Sequence, residues 1–216
     1  MDILRHDLVR LAPPAWRRLL AERPELAREP LALLWQRHDW PLVARRYAPG
    51  DAGGLALGWP LPLSAGKRRI AIEALRSDIA GVERALPLAS AIGAAPGPWR
   101  ATLQRLLWMA AARSIEARVF GSLAWQAMTG LDYLSRGSDL DLLLALRADS
   151  DVAGLLRELA TIEAAAPMRI DGELLRCDGA GVNWRELRAG CAQVLAKSVG
   201  AVELVDTSRF VEGVVP

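Results

Sequence analysis

RVFGSLAWQAMTGLDYLSRGSDLDLLLAL, residues 118–146, decides the fold. It begins as an apolar run ending in Gly121-Ser122, continues through a segment of helical composition, and closes on Asp139-Leu140-Asp141 at the head of three consecutive leucines. Side chains along a strand alternate between faces, so Asp139 and Asp141 point one way while Leu140 and Leu142 point the other. Aspartate is a poor strand former, and two ionised carboxylates on one face repel unless a cation lies between them or one takes up a proton. A hard divalent ion such as Mg²⁺ prefers oxygen ligands and suits that pair. The competing reading is the solvated face of a half-buried strand. Leu142, Leu143 and Leu144 argue for the first, because a strand buried on both faces directly after the pair puts the aspartates at the entrance of a core strand. Upstream, Gly121-Ser122 closes a strand and opens a helix, an arrangement that directs backbone N–H groups and a hydroxyl at a phosphate. A phosphate cradle and a metal platform on neighbouring strands imply phosphoryl or nucleotidyl transfer.

Outward from this stretch, ARVFGS, LAWQAMTGLDYL, DLDLLLAL, VAGLLRELATIEAA and MRIDGELL read as strand, helix, strand, helix and strand. A helix from Trp99 to about residue 117, with Leu103, Leu106, Leu107, Ala110 and Ile115 at helical spacing, precedes them. MRIDGELL supplies a third carboxylate, Asp171, inside the apolar run, unless Asp171-Gly172 is a hairpin turn. Glu173 is read beside a bulge at Gly172. NWRELRAGCAQVLA opens with Asn183 and carries Glu186 three residues on, the spacing of a capping box. Toward the N-terminus, WRRLLAERPELA is a short helix stopped by prolines. Residues 41–77 alternate short apolar runs with Gly, Pro and Ser clusters, as in a small antiparallel β unit. The Ala/Gly/Pro-rich stretch from residue 89 marks a boundary. The expected fold class is α+β, with a small, mainly β domain over residues 1–90 and an α/β domain over 91–216.

Composition narrows the function. With 216 residues, 52% of them hydrophobic, the chain buries a real core and is not a disordered tail. A net charge of +2 excludes a general nucleic-acid or membrane-surface binder, so any basic patch is local, as at Arg45-Arg46 and Lys67-Arg68-Arg69. Cys177 and Cys191 have no CxxC spacing, and His6 and His38 are the only histidines. That set suits a pair of reduced thiols rather than a zinc site or a disulfide framework. Charged residues break the N-terminal apolar run, and no stretch approaches the roughly 18 apolar residues of a membrane span. The expected location is the cytoplasm.

Gly121-Ser122, a helix, Asp139-x-Asp141 and a third aspartate on a later strand resemble the nucleotidyltransferase fold of the polymerase-β type. GSLAWQAMTGLDYLSRGSDLDLLL is more specific and resembles the phosphoribosyl-dephospho-CoA transferases, the malonate decarboxylase holo-acyl-carrier-protein synthases. RHDLVRL at the N-terminus, PLVARR at 41–46, GKRRIAIEA at 66–74, RIDGEL at 169–174 and VLAKSVGAVEL around Lys197 extend the likeness over nearly the whole chain. The resemblance implies a nucleotidyltransferase-like domain over 91–216 and an accessory, substrate-docking domain over 1–90. The activity it implies is transfer of 2′-(5″-phosphoribosyl)-3′-dephospho-CoA from its triphosphoribosyl precursor to a serine of the malonate decarboxylase acyl-carrier subunit, with release of pyrophosphate. Under it Asp139, Asp141 and Asp171 are the catalytic and Mg²⁺-binding carboxylates, and Gly121, Ser122 and Lys197 bind substrate. A small-molecule nucleotidyltransferase using ATP, or a non-catalytic binding module of the same fold, are the alternatives. Nucleic acid and membrane are not expected partners.

Overall fold

The structure, a computed structural model, describes residues 2–213 and divides between Arg84 and Ala85 into two units. In the first, β1 (Leu8–Leu11) is followed by α1 (Pro13–Glu22), α2 (Pro24–Ala27) and α3 (Ala32–Arg37), then β2 (Leu42–Ala44), β3 (Leu55–Pro60), β4 (Arg69–Ala74) and β5 (Ile79–Glu83). The five strands form one antiparallel sheet in the order β4-β3-β2-β1-β5. The β unit expected at 41–77 is therefore its middle and one edge. RHDLVRL and the Ile79–Glu83 segment add two more strands. The helix expected in WRRLLAERPELA is two, because Pro24 cannot continue α1 and starts α2 instead.

All of β3 is buried, and its Trp59 meets Trp16 and Trp35 edge-on at 5.9 and 5.6 Å. Three buried acids in this unit each meet an arginine: Asp7 with Arg84, Asp78 with Arg18 and Glu29 with Arg68. Buried carboxylates stay charged at tolerable cost only when paired in this way.

The second unit runs β6 (Leu86–Pro87), α4 (Leu88–Ala91), α5 (Arg100–Ala112), β7 (Glu116–Val119), α6 (Gly121–Thr129), β8 (Leu140–Ala145), α7 (Val152–Ala164), β9 (Ile170–Leu175), β10 (Gly181–Asn183), α8 (Trp184–Arg188), β11 (Gln193–Lys197), β12 (Val202–Asp206) and α9 (Thr207–Glu212). Its seven-stranded sheet has the order β12-β11-β10-β9-β8-β7-β6, with β8 and β9 parallel and the other pairs antiparallel. The architecture is α+β. One sheet face, including Leu140, Leu142, Leu144, Ile170 and Leu174, joins Leu103 and Leu106 of α5 and Leu155 and Leu159 of α7 in a single core.

Several expected boundaries move. α5 stops at Ala112 because Ser114, with φ of +52°, turns the chain toward β7, so Ile115 lies beyond the helix. α6 stops at Thr129 because Gly130 takes a left-handed cap with φ of +71°. Asn183 does cap α8 by accepting from Arg185 N, but Glu186 instead accepts from Leu195 N, so no capping box forms. VLAK is strand β11, not helix, and Lys197 ends that strand. No helix among the described residues is long and apolar enough to cross a membrane, and Cys177 and Cys191 are free and exposed.

Candidate active site

The register between β8 and β9 builds the site. Leu140 pairs with Ile170 and Asp141 with Asp171, an unbroken ladder that continues to Ala145 and Leu175. Asp141 and Asp171 are thus level on adjacent strands, about 4.8 Å apart by strand spacing, and Asp139, two residues earlier, shares their face. Asp171 lies within the strand and not in a turn. The ladder passes Gly172 without a shift, so the bulge expected there is absent. That glycine serves packing: a Cβ on it would lie 3.0 Å from Trp184 Cδ1. Glu173, level with Leu143 and Asn183, is buried on the carboxylate face.

Gly121 joins the two sequence motifs physically. Phe120 N donates to Asp141 O at 3.2 Å, which brings the start of α6 against β8. Gly121 has φ of +62°, and a Cβ there would lie 1.8 Å from Asp141 Oδ2. The carboxylate occupies the space that any other residue's side chain would need. Ser122, half-buried, follows in the first turn of α6.

Asp171 is held by residues whose role the sequence disguised. Asn183 Nδ2 donates to Asp171 Oδ1 at 2.8 Å, while Asn183 Oδ1 is committed to the α8 cap, which fixes the amide's orientation. The preceding residue is clamped as well. Ile170 N donates to Glu163 Oε1 at 2.8 Å, and Ile170 O accepts from Trp184 Nε1 at 3.0 Å and Arg185 Nη1 at 2.8 Å. Arg185 also bonds Glu163 and stacks over Trp184. The available signal was Asn183 at a helix start, legible as a cap but not as a partner of Asp171.

The segment between the motifs is scaffolding. Gln126 Nε2 donates to Ala94 O at 2.9 Å, and its Oε1 accepts from Tyr133 N and Leu134 N, both at 3.2 Å. Thr129 Oγ1 donates to Trp125 O at 2.7 Å and accepts from Leu131 N at 3.2 Å. Trp125 and Tyr133 are buried, their rings 6.5 Å apart, and burial pushes the Tyr133 phenol above its usual range. Trp125 is a core residue. Ser135 and Ser138 close the turn that delivers Asp139.

Lys197 does not join this group. It pairs with Gly181, which pairs with Leu175 at the other end of β9 from Asp171. Two inter-strand spacings and a run of about 13 Å along the strands separate its backbone from Asp171. Asp139, Asp141 and Asp171 offer only hard oxygen donors, the type that Mg²⁺ prefers. Among the described residues no three His, Cys, Asp or Glu side chains converge into a ready-made metal cage.

Comparison with known proteins first defines a class: the chain is a transferase of α+β architecture. Residues 4–85 match the phosphoribosyl-dephospho-CoA transferase MdcG N-terminal domain, and residues 87–208 match the MdcG C-terminal domain. A phosphoribosyl-dephospho-CoA transferase of Bradyrhizobium diazoefficiens is 46% identical over 97% of this chain and 92% of its own length. One of the same name from Xanthomonas campestris pv. campestris is 42% identical over 78% of this chain and 80% of its own. The chain belongs to the phosphoribosyl-dephospho-CoA transferase family. No solved structure matches it.

Proposed function

We propose that this chain transfers the 2′-(5″-phosphoribosyl)-3′-dephospho-CoA group from its triphosphoribosyl precursor to a serine of the malonate decarboxylase acyl-carrier subunit. The observation that carries this reading is the level pairing of Asp141 with Asp171, beside a Gly121 that admits the Asp141 carboxylate. In the reaction the serine oxygen bonds to the α-phosphorus, and the bond from that phosphorus to the α–β bridging oxygen breaks. Pyrophosphate leaves with the electron pair. Asp171, oriented by Asn183, receives the serine proton or shares in holding metal.

Asp139 and Asp141, with Asp171, would hold Mg²⁺, which when bound neutralises developing charge on the phosphoryl oxygens. Mg²⁺ held by so few protein ligands would keep substrate phosphate and water oxygens in the rest of its shell. Ser122 offers its N–H and hydroxyl to the polyphosphate. The first unit is the accessory domain in this reading, meeting an acidic carrier through exposed Arg46, Lys67 and Arg69. Arg45 and Arg68 are already engaged, by Asp51 and Glu29.

Mass spectrometry of the carrier subunit after incubation with this protein, Mg²⁺ and the precursor tests the reading. A mass gain equal to the prosthetic group on one serine is expected, with none when ATP replaces the precursor. An unmodified carrier, or a nucleotide adduct formed from ATP, would overturn it.

A further inference from the structure

A site that gathers carboxylates must still attract a polyphosphate, and beyond its metal it needs a fixed cation. Lys197 lies at the far end of the sheet. The ladder between β8 and β9 holds another candidate. Leu140 N donates to Arg169 O at 2.9 Å, the bond that anchors the first parallel pair, Leu140 with Ile170, so Arg169 directly precedes the ladder. Carried one residue beyond the paired stretch, that register sets Asp139 opposite Arg169. By alternation Arg169 lies on the carboxylate face, two residues and about 7 Å along the strand from Asp171.

Three features taken together mark Arg169. Arg169 is exposed, and its guanidinium has no hydrogen bond or ion pair among the described residues. Arg46, Arg69 and Arg157 are likewise exposed, but they lie on other elements, whereas Arg169 stands two residues before Asp171. Its backbone is rigid, because Arg169 O is bonded to β8 and the next residue, Ile170, is clamped by Glu163, Trp184 and Arg185. And it stands at the open end of the carboxylate row, whose inner end closes on the buried Glu173.

We propose that Arg169 is the polyphosphate-binding arginine of this site. It would grip the β- and γ-phosphates of the precursor through its planar fork and keep hold of the pyrophosphate as it leaves. The proposal rests on the reading of the carboxylate face as the transfer site, and a binding measurement keeps the two separable.

The full chain is titrated calorimetrically with inorganic tripolyphosphate and with pyrophosphate at fixed Mg²⁺, as wild type, Arg169→Ala and Arg169→Lys. Arg157→Ala, an exposed arginine on α7, serves as the charge control. Loss of a charge-assisted, two-pronged contact should weaken both ions about 10- to 100-fold in Arg169→Ala. Arg169→Lys should recover part of that loss, Arg157→Ala should match wild type, and melting temperatures should be unchanged. In turnover, the KM for the precursor and the inhibition constant for pyrophosphate should rise together while the KM for carrier stays constant. Arg169-dependent tripolyphosphate binding without carrier modification would sustain this proposal while the transfer reading fails. A wild type that binds neither ion, or Arg169→Ala binding both as wild type does, overturns it.

Discussion

A methyl group at position 121 would need both a left-handed backbone conformation and the space already filled by Asp141 Oδ2, 1.8 Å from where its Cβ would be. The two costs add, and Gly121→Ala should lose about 2–5 kcal/mol of stability, read as a lower denaturant midpoint, together with most of its activity. Normal turnover and an unchanged midpoint in that variant would contradict the packing described. Asn is nearly isosteric with Asp, so Asp139→Asn and Asp141→Asn keep the packing and remove one charge. Activity should fall about 100-fold or more in each, while the metal-free melting temperature holds or rises as repulsion on the face is relieved. A variant of either kind that turns over like wild type at saturating Mg²⁺ removes that residue from the site.

At the level of elements, one amide is the main side-chain tie of the loop from α6 to β8. Gln126 serves three backbone groups at once, on Ala94, Tyr133 and Leu134. Gln126→Ala leaves them to find water or remain unpaired, which costs about 1–3 kcal/mol. Its effect on turnover should exceed that stability loss would suggest, because the same loop delivers Asp139, and hydrogen exchange of residues 131–138 should quicken. Exchange at the wild-type rate would show that the loop is fixed by other contacts. The run from β7 to β9 was legible because each element there has a clean period or a sharp glycine boundary, and Asp139 and Asp141 followed from alternation alone. The register of β9 on β8 was not, since no local pattern says which residue of one parallel strand stands level with which of the other. Hence Asp171 was legible as a carboxylate within a neighbouring strand, while its exact level with Asp141 was not. β10 to β12 escaped because Leu195 and Leu204 are exposed among buried Val194 and Ala196, which blurs the alternation that reveals a strand. Lys197, at the end of β11, accordingly lies apart from the carboxylate row.

For the whole molecule, two behaviours should separate. Asp51 in the first unit is held by Arg45 and by Ala48 N, which lowers its carboxyl from 3.8 to about 2. A depressed folded-state value contributes stability that is fully present above the unfolded value and is lost as pH falls through the folded one. Thermal melts of wild type and Asp51→Asn should therefore differ at neutral pH and converge between about pH 4 and pH 2; a constant gap would assign the effect to packing. The second behaviour concerns the carrier. Reversal of Arg68 would set a carboxylate against the buried Glu29 and confuse docking with folding, so Arg69→Glu is the cleaner probe. It should raise the KM for carrier more than it lowers kcat and flatten the dependence on ionic strength. Unchanged carrier kinetics would make that patch ordinary surface.

The contact between Gly121 and Asp141 also limits how such a chain can change over generations. A larger residue at 121 is compatible only with a smaller one at 141, yet under the proposed mechanism shrinking 141 discards a carboxylate that the chemistry uses. Compensation that restores folding thus removes catalysis, so the pair has no neutral path between functional states. The helix start and the acidic strand, separated by some twenty residues of chain, are inherited as a single epistatic unit, and a lineage that abandons the reaction is freed at both positions together.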